Sequence, residues 1–263
     1  MIVHSALLPA QSGEDHIVTS EHAVIVLDGA TAHAPETPKA RTYVETLSHE
    51  LSDRIGPDND LREALAEAIE ATATQLDLTA GRAPSSTVAI VRTRQNVIDL
   101  LVLGDSAVVI GTRDGTQHIH TDDRLDRLGL AEADHYRQRL TTGAGYDDEH
   151  RRLLQDLQRA ESHHRNRPAG FWIAEADPTA AEHALTVSYP RTDVAWALLA
   201  TDGAFDVLPA VGLDWQSISQ DDSTGLSHLL RQCTDWEATT DPNGLRLPRA
   251  KRHDDKAIAI LRP

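Results

Sequence analysis

The first clear hydrophobic rhythm is Ala23-Val24-Ile25-Val26-Leu27, a continuous apolar run of strand length that predicts burial on both faces. A loop with Pro35 and Pro38 follows, and the spacing then predicts a helix over residues 39–55, stopped by Gly56-Pro57. Leu61, Leu65, Ala68, Ile69 and Leu76 recur at helical spacing behind Asn59 or Asp60, either of which can cap the helix. The two helices are expected to form an antiparallel pair covering a sheet. After Gly81 the period shortens. Residues 87–92, 97–103, 107–111 and 117–121 predict four short strands, the last two joined through an Asp114-Gly115 turn.

Residues 122–178 break this pattern. They are polar and rich in Arg, His and Asp, with a weak helix near 148–160, and predict a mobile flap or insertion rather than core. Strand patterns resume at 185–188 and 194–201, a helix is expected over 225–236, and 256–261 closes as a strand. Strands and helices come in blocks rather than as alternating βαβ units, which predicts an α+β fold. No boundary stands out, so residues 1–263 read as a single domain carrying the flap.

Composition narrows the function classes. With 25 Lys+Arg against 41 Asp+Glu the net charge is −16, which argues against a nucleic-acid or anionic-membrane partner. It favours basic partners, and divalent cations wherever carboxylates converge. Cys233, the single cysteine, can form neither an intramolecular disulfide nor a thiolate metal site. No apolar stretch approaches the ~20 residues of a membrane span, and no signal-peptide pattern opens the chain. A soluble, cytoplasmic protein is expected.

The informative feature is an apolar strand running straight into an Asp, and it recurs. Val24-Ile25-Val26-Leu27 ends in Asp28-Gly29, Leu100-Leu101-Val102-Leu103-Gly104 in Asp105-Ser106, and Trp196-Ala197-Leu198-Leu199-Ala200-Thr201 in Asp202-Gly203. Asp254-Asp255 introduces the strand that begins at Lys256. Strand ends fix side-chain direction, so these carboxylates can converge from distant parts of the chain, and converging carboxylates repel unless a cation sits between them. An all-oxygen donor set without Cys or His suits Mg²⁺ or Mn²⁺ over Zn²⁺. Taken singly, Asp-Gly after a strand is a common turn; four such motifs in this order are not.

That order resembles the type 2C (PPM) metal-dependent protein phosphatases, and the chain is similar to a bacterial-like, single-domain member. The matching residues are Glu14-Asp15, Asp28-Gly29, Ser85-Ser86-Thr87, Gly104-Asp105-Ser106, Asp202-Gly203 with Asp206, and Asp254-Asp255. The resemblance implies a four-layer sandwich of two antiparallel sheets flanked by helices. It implies two Mn²⁺ or Mg²⁺ ions per chain, or three, with Asp28 as the bridge and the Gly29 carbonyl as a further ligand. Asp202 and Asp254 would hold the first ion, Glu14 and Asp15 the second, and Asp105 a weaker third. Asp255 competes with Asp254, which is preferred because the family's final pair places its ligand first. The implied activity is hydrolysis of phosphoserine and phosphothreonine in proteins by an in-line water, with Asp28 and Asp202 catalytic through the metals that activate it. A phosphoprotein substrate and a cognate Ser/Thr kinase are the implied partners.

The chain departs from the family at three places. Ala10 stands where many members carry an Arg that grips phosphate, Ala30 where some carry a His, and Ser86 at the middle Gly of Ser-Gly-Thr-Thr. His33, three residues beyond Ala30, reads as a solvated loop His. These departures motivate a second reading, a catalytically weak or inactive phosphatase-like domain that regulates by binding phosphoproteins. Haloacid-dehalogenase-type chemistry is excluded, because the nucleophile position two before Asp28 is Val26. Thr142-Gly143-Ala144-Gly145 lacks the preceding strand of a nucleotide fingerprint and reads as a loop. His163-His164 with Arg165 and Arg167 reads as a solvated basic patch, Asp122-Asp123 as a helix cap, and Trp172 as buried where the flap ends.

Overall fold

The computed structural model describes residues 1–10, 13–30 and 38–263; His33 and Pro35 lie outside them. The chain opens with β1 (Ile2–Leu8), β2 (His16–Thr19) and β3 (Ala23–Ala30), followed by helices α1 (Ala40–Arg54) and α2 (Leu61–Gln75). Asp60 caps α2, its carboxylate accepting the Arg62 and Glu63 amides, a contact type worth ~1 kcal/mol. Next come β4 (Ser85–Thr93), β5 (Val97–Leu103), β6 (Ala107–Thr112) and β7 (Gln117–His120). Gly115, at φ +89°, makes the turn between the last two.

The segment beyond β7 holds α3 (Arg124–Arg127), α4 (Ala131–Thr141) and α5 (Asp148–Ser162). The chain then returns through β8 (Leu185–Pro190) and β9 (Val194–Ala200) to α6 (Asp202–Phe205), α7 (Trp215–Ile218), α8 (Ser223–Thr239) and β10 (Lys256–Arg262).

Among the described residues the strands form two antiparallel sheets, ordered β1-β10-β9-β6-β7 and β2-β3-β4-β5-β8. Their facing sides bury Val24, Val26, Ala89, Leu199 and Ala259 between the sheets. The alternate residues Ile25 and Leu27 face the other way, against Tyr43, Leu47, Leu65 and Ile69 of α1 and α2. On the far side, Leu198, Ile258 and Ile260 pack against Leu226, Leu230 and Cys233 of α8. The result is the α+β four-layer sandwich the sequence predicts. Of the two central strands, β9 reads as an unbroken apolar run and β4 as one over residues 88–91, because both faces are covered.

Two strands precede the first one legible in the sequence. β1 and β2 are edge strands, half-exposed along most of their length, and so lack a continuous apolar signature. The segment over residues 122–178 is also more structured than expected. Tyr136, Leu140 and Leu157 of α4 and α5 form a small core of their own, and the buried His150 donates from Nε2 to the Ala250 carbonyl at 2.8 Å. Trp172 is buried as expected and stacks on His183, centroids 3.5 Å apart. At the α3 boundary it is Asp122, not Asp123, that accepts the Arg124 amide. Arg165 leaves the basic patch to lie 3.9 Å from Glu175.

Few buried side chains secure α4 and α5, so hydrogen exchange there is expected to be faster than in β9, where six of seven residues are buried. Equal protection of the two regions would contradict this.

Candidate active site

The sheet registers bring the motifs together. Asp28, Gly29 and Ala30 pair with Thr87, Ser86 and Ser85 on the neighbouring strand, so the second and third motifs lie side by side. The Thr87 hydroxyl accepts the Asp28 amide at 3.3 Å and sits 2.6 Å from the Ser106 hydroxyl, tying in the Gly104-Asp105-Ser106 turn. β9 and β10 are neighbours in the facing sheet, and Thr201 donates its hydroxyl to Asp15 at 2.7 Å while accepting the Ala257 amide at 3.0 Å. Asp202 and Asp254 therefore leave adjacent strand ends beside Asp15.

Glycine is required at two of these turns. A Cβ on Gly29 would fall 2.9 Å from the Glu14 carbonyl, which accepts the Gly29 amide. On Gly203 it would fall 2.2 Å from the Asp255 carbonyl. Each Asp-Gly thus lets a second stretch of chain approach closely.

Asp15 is buried, and Asp28, Asp202 and Asp254 are half-buried beside it. Loss of water raises the Asp15 carboxyl to about 8, with Asp202, Asp254 and Asp255 adding repulsion against the Thr201 hydrogen bond. Asp28 is pushed well above the usual carboxylate range by desolvation and then by Asp15, Asp202 and Asp254. Asp254 is raised by the same two causes, desolvation and the charge of Asp202, although Lys251, 2.7 Å away, opposes the shift. Asp105 lies exposed at the edge of this group, within the field of Asp202 and Asp206.

The last pair divides its work. Asp255 is buried, and its carboxylate accepts the backbone amides of Ala10, Gly13 and Glu14, the last at 2.7 Å. It anchors the chain that carries Glu14 and Asp15. Asp254 faces the carboxylate group.

Among the described residues no three His, Cys, Asp or Glu side chains close around a point as a finished ligand shell. The donor chemistry nevertheless fits a hard divalent cation: the group is all oxygen, crowded and mutually repelling. Mg²⁺ and Mn²⁺ sites with carboxylates of this kind keep several waters and need no closed protein cage. Lys251, half-exposed, supplies the one basic contact to Asp254 among the described ion pairs.

A cavity of about 420 Å³ opens between this group and the flap helices, lined by Asp105, Asp202, Asp206, Asp126 and Arg137. A smaller one, about 220 Å³, lies on the other side, lined by Glu14, Asp15, Asp255 and Arg41. Asp126, Arg137, Arg41 and Lys251 were not singled out by the sequence. They come from helices and loops with no motif, and only the folded chain places them here.

The raised carboxyls fix a sign for pH dependence. An acid whose folded pKa exceeds its unfolded value binds more protons in the native state, so its contribution to stability falls as pH rises through that interval. For Asp15 the interval runs from 3.8 to about 8. The metal-free protein is expected to lose melting temperature between about pH 5 and about pH 8, and saturating Mn²⁺ to flatten that slope. Identical slopes with and without Mn²⁺ would remove the cation from this account.

The family model described as protein phosphatase 2C matches residues 11–251. No curated protein sequence matches the chain. Among solved structures it is similar to the PPM Ser-Thr phosphatase MsPP from Mycobacterium smegmatis, at 17% identity and TM-score 0.58, covering 99% of this chain and 97% of that one. The catalytic domain of the phosphatase PstP, solved with two manganese ions, is 15% identical at TM-score 0.53, covering 98% and 96%. Stp1 from Staphylococcus aureus is 12% identical at TM-score 0.58, covering 99% and 94%. At such identities these likenesses bear on the fold.

Proposed function

The chain belongs to the protein phosphatase 2C family, and from that premise we propose that it is a Mn²⁺- or Mg²⁺-dependent phosphatase of phosphoserine and phosphothreonine proteins. The observation that carries the reading is the convergence of Asp15, Asp28, Asp202 and Asp254, from four separate stretches of chain, into one group where their charges oppose one another. When bound, two cations in such a group would acidify a shared water and neutralise the phosphoryl group.

The chain's own part is to hold the donors. Asp28 would serve both ions and the Gly29 carbonyl one of them, Asp202 and Asp254 the first, Glu14 and Asp15 the second, and Asp105 a weaker third. Thr201 orients Asp15 through its hydroxyl, and the Thr87–Ser106 pair steadies the backbone at Asp28. Water is the nucleophile, attacking in line, so no phosphoenzyme is expected. The cavity beneath the flap has room for a phosphorylated segment beside Asp202. We read residues 1–263 as one phosphatase-like unit with a flap over 122–178, working on phosphoproteins opposite a Ser/Thr kinase in the cytoplasm. Among the described residues, no helix is long and apolar enough to cross a membrane.

A second reading keeps the fold and gives up turnover. Ala10 and Ala30 offer neither a guanidinium nor an imidazole to a phosphate, which favours a regulator that binds phosphoproteins. Turnover of p-nitrophenyl phosphate separates the two: Mn²⁺-dependent hydrolysis is expected. Mn²⁺ binding without hydrolysis of this ester or of phosphopeptides would hand the lead to the regulator.

A further inference from the structure

Lys256 opens an apolar strand, yet its side chain is wholly buried, as is that of Glu237 on α8. The ammonium lies 2.8 Å from Glu237 Oε1 and donates to the Asp254 carbonyl at 3.1 Å. The other oxygen of the same carboxylate, Oε2, is 2.8 Å from His253 Nδ1. One carboxylate thus grips residues 253 and 256, on either side of Asp254, while the ammonium takes the carbonyl of Asp254 itself. The side chain of Asp254, which accepts from Lys251 at 2.7 Å, lies within the field of Asp202 and Asp28.

Stability gives no reason for this pair. Cys233, within the field of both groups, and Ala257, next in the strand, are fully buried. A buried ion pair in such surroundings is commonly matched or bettered by apolar side chains of similar volume, because desolvating two charges offsets their attraction. An apolar pair could not, however, donate a hydrogen bond to a chosen carbonyl. We propose that Lys256 and Glu237 are positioning residues that fix Asp254 for metal binding. The proposal rests on the metal-dependent reading above and adds to it a supporting shell from α8, which metal ligands need to hold their direction.

The test is calorimetry of Mn²⁺ binding to the full chain, with melting of the metal-free protein measured alongside. Lys256→Met alone would leave Glu237 Oε1 buried without its ammonium partner, with Oε2 still at His253, so the informative variant is Lys256→Met with Glu237→Leu. It is expected to melt close to wild type while binding Mn²⁺ about 10–100-fold more weakly, the usual cost of losing an outer partner of a ligand. A folded double variant with wild-type affinity would overturn the proposal and leave the metal site standing. A double variant that does not fold would assign the pair to stability and overturn it as well. A wild-type chain that binds no Mn²⁺ would instead remove the metal-dependent reading, and this proposal with it.

Discussion

Replacing Asp202 by Asn is expected to abolish Mn²⁺-dependent hydrolysis of phosphoesters while leaving the fold intact. Asn preserves the volume at the start of α6 and can still accept the Gly203 amide, which now bonds Asp202 Oδ1 at 2.5 Å. What it lacks is the charge that appears in the surroundings of Asp15, Asp28, Asp105 and Asp254 alike. Asp202 is the common neighbour of the group, so its loss weakens the field that would hold a cation at every one of them. A fall in kcat on the order of 10³-fold is expected, the scale of removing one charged contact from a preorganised site. Asp235→Asn is the control: Asp235 is exposed on α8, and among the described residues its side chain makes no hydrogen bond or ion pair, while Thr239 donates to its backbone carbonyl. Asp214 would serve less well, since its carboxylate caps α7 by accepting from Ser217. A metal-dependent wild type whose Asp202→Asn variant turns over at the same rate would show this assignment to be wrong.

How much of this was legible beforehand follows from burial. β5, β9 and β10 announce themselves because covered faces demand apolar side chains at nearly every position, and β4 does so through residues 88–91. β1 carries His4 and Ser5 between apolar residues and leaves Ile2 and Leu7 exposed, so neither strand nor helix period prevails. α4 turns only Tyr136 and Leu140 inward, too few to mark a helix in a polar stretch. Asp28, Asp202 and Asp254 were legible because each lies at an end of a buried strand, where direction is fixed by the pleat, whereas Asp15 precedes the half-exposed β2 and was reached only through the family's motif order. The division between Asp254 and Asp255 depends on three backbone amides from residues 10–14, some 240 positions away. Lys256 is hidden for the opposite reason: Lys is so seldom fully buried that its place at the head of a strand reads as solvated.

Asp28→Asn is expected to give the largest loss of metal affinity and, in the same protein, a more stable metal-free state. Mn²⁺ at about 100 times its Kd should stabilise the wild type by ~2.7 kcal/mol, equivalent to roughly 5–10 °C in a chain of this size. The variant should show little of this gain, with affinity lowered beyond the ~10–100-fold that loss of an outer partner costs. The opposite change without metal comes from the carboxyl's own environment. Asp28 is held well above its ordinary pKa by desolvation and by three like charges, so ionising it at neutral pH opposes folding. Asn removes that charge, keeps the backbone amide that bonds Thr87, and relieves Asp15 of one repelling neighbour. The metal-free variant should therefore melt above the metal-free wild type near pH 8 and approach it as the pH falls below the ordinary value of 3.8, where Asp28 is protonated in the folded and the unfolded state alike. A variant that melts lower at both pH values would mean that the Asp28 carboxylate serves the fold rather than a cation.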